Sequence, residues 1–123
     1  MIGEIRWILT PFYDIAQSRN SFKKRPALIF AQSDSGDYNI LPLSRVTRKE
    51  NIHPVFDKKI DPAVYPKTNL TAVSYVRTHK QTVANIAEIS GLVCDLRKEY
   101  PDLYLEILSL LESYNAFAAS QSL

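Results

Sequence analysis

Residues 26–45 read PALIFAQSDSGDYNILPLSR, two apolar runs separated by a short polar break. Pro26 to Gln32 is almost continuously apolar, which predicts a central strand buried on both faces. Gly36 in the break supplies the permissive backbone of a turn. Tyr38 to Arg45 is then the partner strand of a hairpin, with Pro42 marking a bulge or an edge position, since proline donates nothing to a ladder. A turn centred near residues 34–36 sets Ser44 opposite Arg25. Arg25 precedes Pro26, so its backbone is held extended by the proline ring. A guanidinium with a defined origin is suited to gripping a phosphate in two-pronged fashion, and the Ser44 hydroxyl converges on it from the neighbouring strand.

Outward from this hairpin, EIRWIL (Glu4–Leu9) alternates as a strand. Gly3 frees the chain to turn into it, and Thr10-Pro11 is expected to end it. FYDIAQSRNSFKK then reads as a long polar connection. Residues 46–70 are rich in Lys, Asp, Pro and Asn and predict loop, with one short strand near Val55–Phe56. Further strands are expected at TAVSYVR and TVANIAEI. In SYVRTHKQTV (Ser74–Val83), a strand would send Tyr75, Arg77 and His79 from one face and pack Val76 and Thr78 inward. After Gly91 the period becomes helical. Leu103, Ile107, Leu110, Leu111, Tyr114 and Phe117 share a face, and Pro101 sits where a first helical residue is tolerated. This predicts a helix over 101–118, preceded by a shorter one around Leu92–Glu99. Strands first and a closing helix make an α+β domain around a small, strongly bent antiparallel sheet. A single domain is expected over 1–123, its sheet over about 2–90 and its helical segment over about 91–118.

Composition narrows the chemistry. The chain of 123 residues is 46% hydrophobic and 23% charged, ordinary globular usage. Its net charge of +2 is unevenly placed. Residues 1–90 carry 13 Lys+Arg against 8 Asp+Glu, and residues 91–123 carry 2 against 5. A mildly basic body suits a polyanion, with an acidic tail kept apart from it. Two histidines, His53 and His79, one cysteine and no tight carboxylate cluster argue against a metal centre. Three glycines, Gly3, Gly36 and Gly91, cannot write a phosphate loop or a dinucleotide fingerprint. No cofactor is expected. Cys94 in GLVCDL reads as packing, a lone thiol that fits the cytoplasm. The first residues lack a signal-peptide pattern, and LYLEILSLL is too short for a membrane span.

IGEIRWI, then KKRPALIF, ILPLS, SYVRTHKQTV and a C-terminal helix, in that order, resemble the MazF/PemK (Kid-like) toxin endoribonucleases over residues 2–118. The resemblance implies a small SH3-like barrel with a C-terminal helix and a homodimer. It also implies metal-independent cleavage of single-stranded RNA and neutralisation by a cognate antitoxin whose tail occupies the RNA groove. It carries a catalytic role to Arg25. Ser44 stands where the family usually has threonine, keeping the hydroxyl. Arg77 matches a strand arginine that some members use as general acid. His79 stands where those members have an aspartate thought to act as base; an imidazole exchanges protons near neutrality. Tyr75 would stack on bases, and Lys24, Arg45, Lys80 and Gln17 are the further RNA-contacting candidates.

RNA carries its own nucleophile, the 2′-OH, which a nuclease without a metal-bound hydroxide can use. His79 would take that proton, Arg25 would stabilise the phosphorane, Ser44 would orient the phosphate, and Arg77 would help the 5′-oxygen depart. The products would be a 2′,3′-cyclic phosphate and a 5′-OH. The alternative is a non-catalytic SH3-like module, either one that inhibits a protein target as the related CcdB toxins do, or one that only binds RNA or an antitoxin. His53 before Pro54 reads as a loop residue, and the pairs Lys23–Lys24 and Lys58–Lys59 as solvated surface.

Overall fold

A computed structural model describes all of residues 1–123. Seven strands form one curled antiparallel sheet: β1 (Glu4–Asp14), β2 (Arg19–Asp34), β3 (Asp37–Ser44), β4 (Asp57–Ile60), β5 (Ser74–Arg77), β6 (Thr82–Asn85) and β7 (Ile89–Asp95). A short helix α1 (Leu96–Glu99) and the long α2 (Pro101–Gln121) follow. The strand order is β4-β5-β3-β2-β1-β7, and β6 also pairs with β3. The sheet is open between β4 and β7, and α2 packs against its larger core, so the expected α+β arrangement holds with the barrel as a curled half-barrel.

The 26–45 hairpin forms as its sequence dictates. Ala27, Leu28 and Ile29 are all buried, and β2 sends consecutive side chains into two cores on opposite faces. Leu28 joins Ile5, Leu41, Leu43, Ile60 and Val76 under α2. Ala27 and Ile29 join Ile8, Ile40 and Ala84 on the other side. Trp7 and Leu9, which alternation alone would send inward with Ile5, are left more than a third exposed. Pairs Ala27↔Pro42, Leu28↔Leu41 and Ile29↔Ile40 fix the register, and Arg25 and Ser44, two residues beyond the first pair, line one cavity. Pro42 is tolerated because β3 changes partner there. β6 pairs with Asp37–Ile40 and β5 with Leu43–Ser44, so the missing N–H falls in the gap between them.

Several expected boundaries move: the strand expected at TAVSYVR starts at Ser74, and TVANIAEI is strand to Asn85 and then a 3-10 turn over Ile86–Glu88. β1 does not stop at Thr10-Pro11 but runs to Asp14, and β2 begins at Arg19, so the polar connection is a long two-stranded ribbon. Beyond Ile8, β1 has lost its second partner β7, and a proline on a strand paired on one side only costs no ladder bond that matters. The short strand near Val55–Phe56 starts at Asp57 instead. Leu92–Asp95 is strand, with the helix confined to Leu96–Glu99, because Glu4–Ile8 of β1 offer it a ladder that overrides local preference.

Gly3 ties the ends together. Its N–H donates to Ile29 O (2.8 Å) and its carbonyl accepts from Arg97 N–H (3.0 Å). It has φ +92°, and a Cβ there would lie 2.6 Å from Arg97 Cβ, so only glycine fits. On α2, Leu103, Ile107 and Leu111 repeat every fourth residue and are buried with Tyr104. No helix is long and apolar enough to cross a membrane.

Candidate functional site

The open end of the β2–β3 hairpin meets β1 and the loop before β5 around a cavity of about 320 Å³. β2 contributes Lys23, Lys24 and Arg25, and the end of β3 contributes Ser44 followed by Arg45. The segment before β5 adds Asn69, Thr71 and Ser74. The apolar wall is Trp7, Pro26, Leu43, Leu70 and Val93. Trp7 pairs with Pro26 across the β1–β2 ladder, next to Arg25 opposite Ile8.

Four cations face this cavity and no carboxylate lines it. Four other cations are matched: Arg6 with Glu4, Lys58 with Glu106, Lys67 with Glu99 and Arg77 with Asp57. None of the cavity's four makes such a pair. Lys23 Nζ lies over the Phe12 ring at 4.8 Å, and Arg45 donates to Thr71 Oγ1. Arg25 Nε is buried without any hydrogen-bond partner. A buried, unmade donor costs on the order of 1–3 kcal/mol, more on a charged group. A charge-assisted bond from an anion would remove that cost.

Arg77 and His79 stand elsewhere, in a cluster around Asp57. The strand expected at TAVSYVR does end at Arg77, and Thr78–Lys80 forms a 3-10 turn, so the alternation does not carry on and His79 does not continue the face of Tyr75 and Arg77. The turn is pinned by Thr78, which is fully buried and donates through N–H (3.2 Å) and Oγ1 (2.6 Å) to Phe56 O. Val76 and Thr78 do pack inward. Arg77 opposes Asp57 across the β4–β5 pair. It donates from Nε to Asp57 Oδ1 (3.2 Å), and from Nη2 to Asp57 Oδ2 (3.3 Å) and Asn51 O (2.9 Å). The Asp57 side chain is fully buried and also accepts from His53 N–H at 2.8 Å.

His79 Nδ1 lies 3.7 Å from Asp57 Oδ1, too far for a hydrogen bond, and is buried without a partner. Burial pushes its pKa below the usual histidine value; Asp57 opposes this, and Arg77, His53 and Lys80 reinforce it. Its ring lies 5.0 Å from that of His53 and 6.4 Å from Tyr114 on α2. The cavity's lining includes none of Tyr75, Arg77 and His79.

The remaining candidates scatter. Tyr75 is half-buried on β5 between Ser44 and Lys59. Gln17 is at the exposed tip of the β1–β2 ribbon, its N–H donating to Asp14 Oδ1, and Lys80 is exposed at the end of its 3-10 turn. Burial, with Glu99 and Asp95 nearby, pushes the Cys94 thiol up to about 11, so it is no nucleophile at neutral pH. His53 accepts at Nδ1 from the N–H groups of Val55 and Phe56, the structural role of a turn residue.

Sequence reading missed Asn69, Thr71, Ser74 and Trp7 as cavity residues and Asp57 as the organiser of the second cluster. Thr71 and Ser74 give no signal, because only the fold brings residues 69–74 against β2. Asp57 had a faint one, a carboxylate four residues after His53 at the start of a strand.

No family model matches the chain, and no curated protein sequence matches it. Among solved structures it is similar to the Mycobacterium tuberculosis toxin MazF-mt6, with a TM-score of 0.55 and 14% sequence identity, covering 89% of this chain and 96% of that one. At that identity the likeness is one of fold: the curled sheet with its closing helix is MazF-like.

Proposed function

We propose that the chain is a MazF-like toxin that cleaves single-stranded RNA at the Arg25–Ser44 cavity without a metal, forms a homodimer and is held inactive by a cognate antitoxin. The observation that carries this is the buried, unpartnered Arg25 Nε in a cavity lined by four unpaired cations. Such a lining attracts a phosphodiester and offers a divalent cation no carboxylate, imidazole or thiolate ligand. The MazF-like fold supports the same reading.

In this reading the 2′-oxygen attacks the adjacent phosphorus and the P–O5′ bond breaks. The proton given up by the 2′-OH is matched by the one the departing 5′-oxygen takes. Arg25 stabilises the charge growing on the phosphorane oxygens. Ser44, across the hairpin, donates its hydroxyl to a phosphate oxygen and fixes its orientation, while Lys24 and Arg45 draw the strand in. Arg77, tied to Asp57 and Asn51, holds β5 against β4, with His79 packed beside it; both act on the fold and not on the substrate.

The test is incubation of the protein with a long RNA in the presence of a chelator, followed by mapping of new ends. Discrete cuts bearing 2′,3′-cyclic phosphate and 5′-OH, lost in Arg25→Ala, are expected. A requirement for a divalent ion, or equal cutting of a strand with 2′-deoxyribose at the scissile position, would overturn the reading.

A further inference from the structure

The cations of the cavity account for a phosphate, but its lining also holds Trp7 and Asn69, which suit something else. Trp7 is the chain's single tryptophan and is 40% exposed, although it stands in the middle of a paired strand. A partly exposed aromatic side chain that lines a cavity beside a phosphate site is one on which a base can stack. Asn69 stands at the same cavity, with φ +59°. Its Nδ2 donates to Val93 O at 2.8 Å, which settles which end of the amide is nitrogen. The carbonyl Oδ1 is left as the group's free acceptor. At about 320 Å³ the space lies at the small end of ligand cavities, room for one nucleotide.

We propose that this cavity takes a single nucleotide of the substrate strand, its base stacked on Trp7 and its edge read by Asn69 Oδ1, so that adenine and cytosine are preferred over uracil. The proposal rests on the ribonuclease reading for its phosphate end. An acceptor fixed in place favours a base that presents an exocyclic amine. Uracil presents its one N3–H between two carbonyls, both repelled by Oδ1. Asn69 is a specificity-determining residue in this scheme and Trp7 a substrate-binding one. Neither takes part in the transfer of protons.

Because Trp7 is the only tryptophan, its emission reports this cavity alone. The probes are 2′-O-methylated heptamers of A, C and U, which lack the nucleophile and are not cut, and an abasic sugar–phosphate oligomer of equal length. Saturable quenching by the A and C heptamers is expected, with about tenfold more of the U heptamer needed for half-saturation. The abasic oligomer should bind, by displacement of a labelled heptamer, without quenching. Asn69→Gly tolerates the left-handed backbone and should abolish the preference while keeping the quench. Equal half-saturation by A and U in the unmodified protein overturns the edge reading. Quenching by the abasic oligomer, or by none of the heptamers, overturns the stacking. Loss of RNA cleavage in chelator with quenching intact would sink the ribonuclease and leave the base pocket. Cleavage with Trp7 emission undisturbed would sink the pocket alone.

Discussion

Arg25 and Arg77 sit on strands that flank β3 on opposite sides, and their surroundings are opposites. Arg77 has its Nε and Nη2 on a fully buried carboxylate and a backbone carbonyl of its own chain. Arg25 has a buried Nε with nothing to bond and three more unpaired cations around it. The first arrangement is complete as it stands. The second leaves a buried donor free for an anion. A stretch such as SYVR can therefore look as functional in sequence as KKRPAL, while the fold gives one arginine a partner and withholds it from the other.

The largest effect expected is on rate. Arg25→Ala should slow RNA cleavage on the order of 10²- to 10³-fold, as removal of one preorganised donor does, and leave the urea midpoint unchanged or higher. Arg77→Ala should do the reverse. It leaves the buried Asp57 carboxylate uncompensated, which costs about 3 kcal/mol when one partner of a buried pair is removed. Urea unfolding reads this loss, and Asp57→Asn added to it should restore part of the stability. If Arg77→Ala kept full stability and lost its activity, the two arginines would have to exchange roles.

Next in size is Ser44→Ala. A hydroxyl bonded to a charged phosphate contributes roughly 1.5 kcal/mol or more, so a loss of about tenfold in rate is expected, with Ser44→Thr close to the unmodified protein. The comparison is sharpened by running Tyr75→Phe alongside, since Tyr75 is Ser44's neighbour on β5 but does not line the cavity. A larger loss in Tyr75→Phe than in Ser44→Ala would put the phosphate on the wrong strand.

The same contrast explains what was legible in the sequence. The hairpin of residues 26–45 was readable because a continuous apolar run, a Gly36 turn and a second run specify one another locally, and the register that brings Arg25 to Ser44 follows from the turn. The partition of cations was not readable. Whether an arginine is neutralised depends on a carboxylate twenty residues away, and Asp57 reaches Arg77 only through the β4–β5 pairing. The ribbon of β1 and β2 is not legible because FYDIAQSRNSFKK shows no hydrophobic period, and its apolar Tyr13 and Phe22 lie exposed. His79 was placed on a strand because alternation continues through it in sequence. Two bonds from Thr78 to Phe56 O turn the chain one residue earlier.

The smallest effect concerns the pH dependence of stability, and it tests whether the Asp57 cluster is closed around a neutral imidazole. Asp57 acts to raise the pKa of His79, but it makes no bond to the ring at 3.7 Å and its oxygens are already engaged by Arg77 and His53 N–H. Burial dominates, with Arg77, His53 and Lys80 adding to it and Tyr114 closing the site from α2, and the native pKa falls below 6.5. In that window the unfolded chain binds a proton that the native state refuses. Stability is then full above pH 6.5, declines as pH falls through that value, and levels off below the native pKa. The urea midpoint should therefore drop between pH 8 and pH 5, and His79→Gln should flatten the drop. A midpoint that rises on acidification and flattens in the variant would mean that His79 pairs with Asp57 as an imidazolium. The second cluster would then hold a titrating charge pair, and the contrast with the unpaired cations of the cavity would have to be redrawn around it.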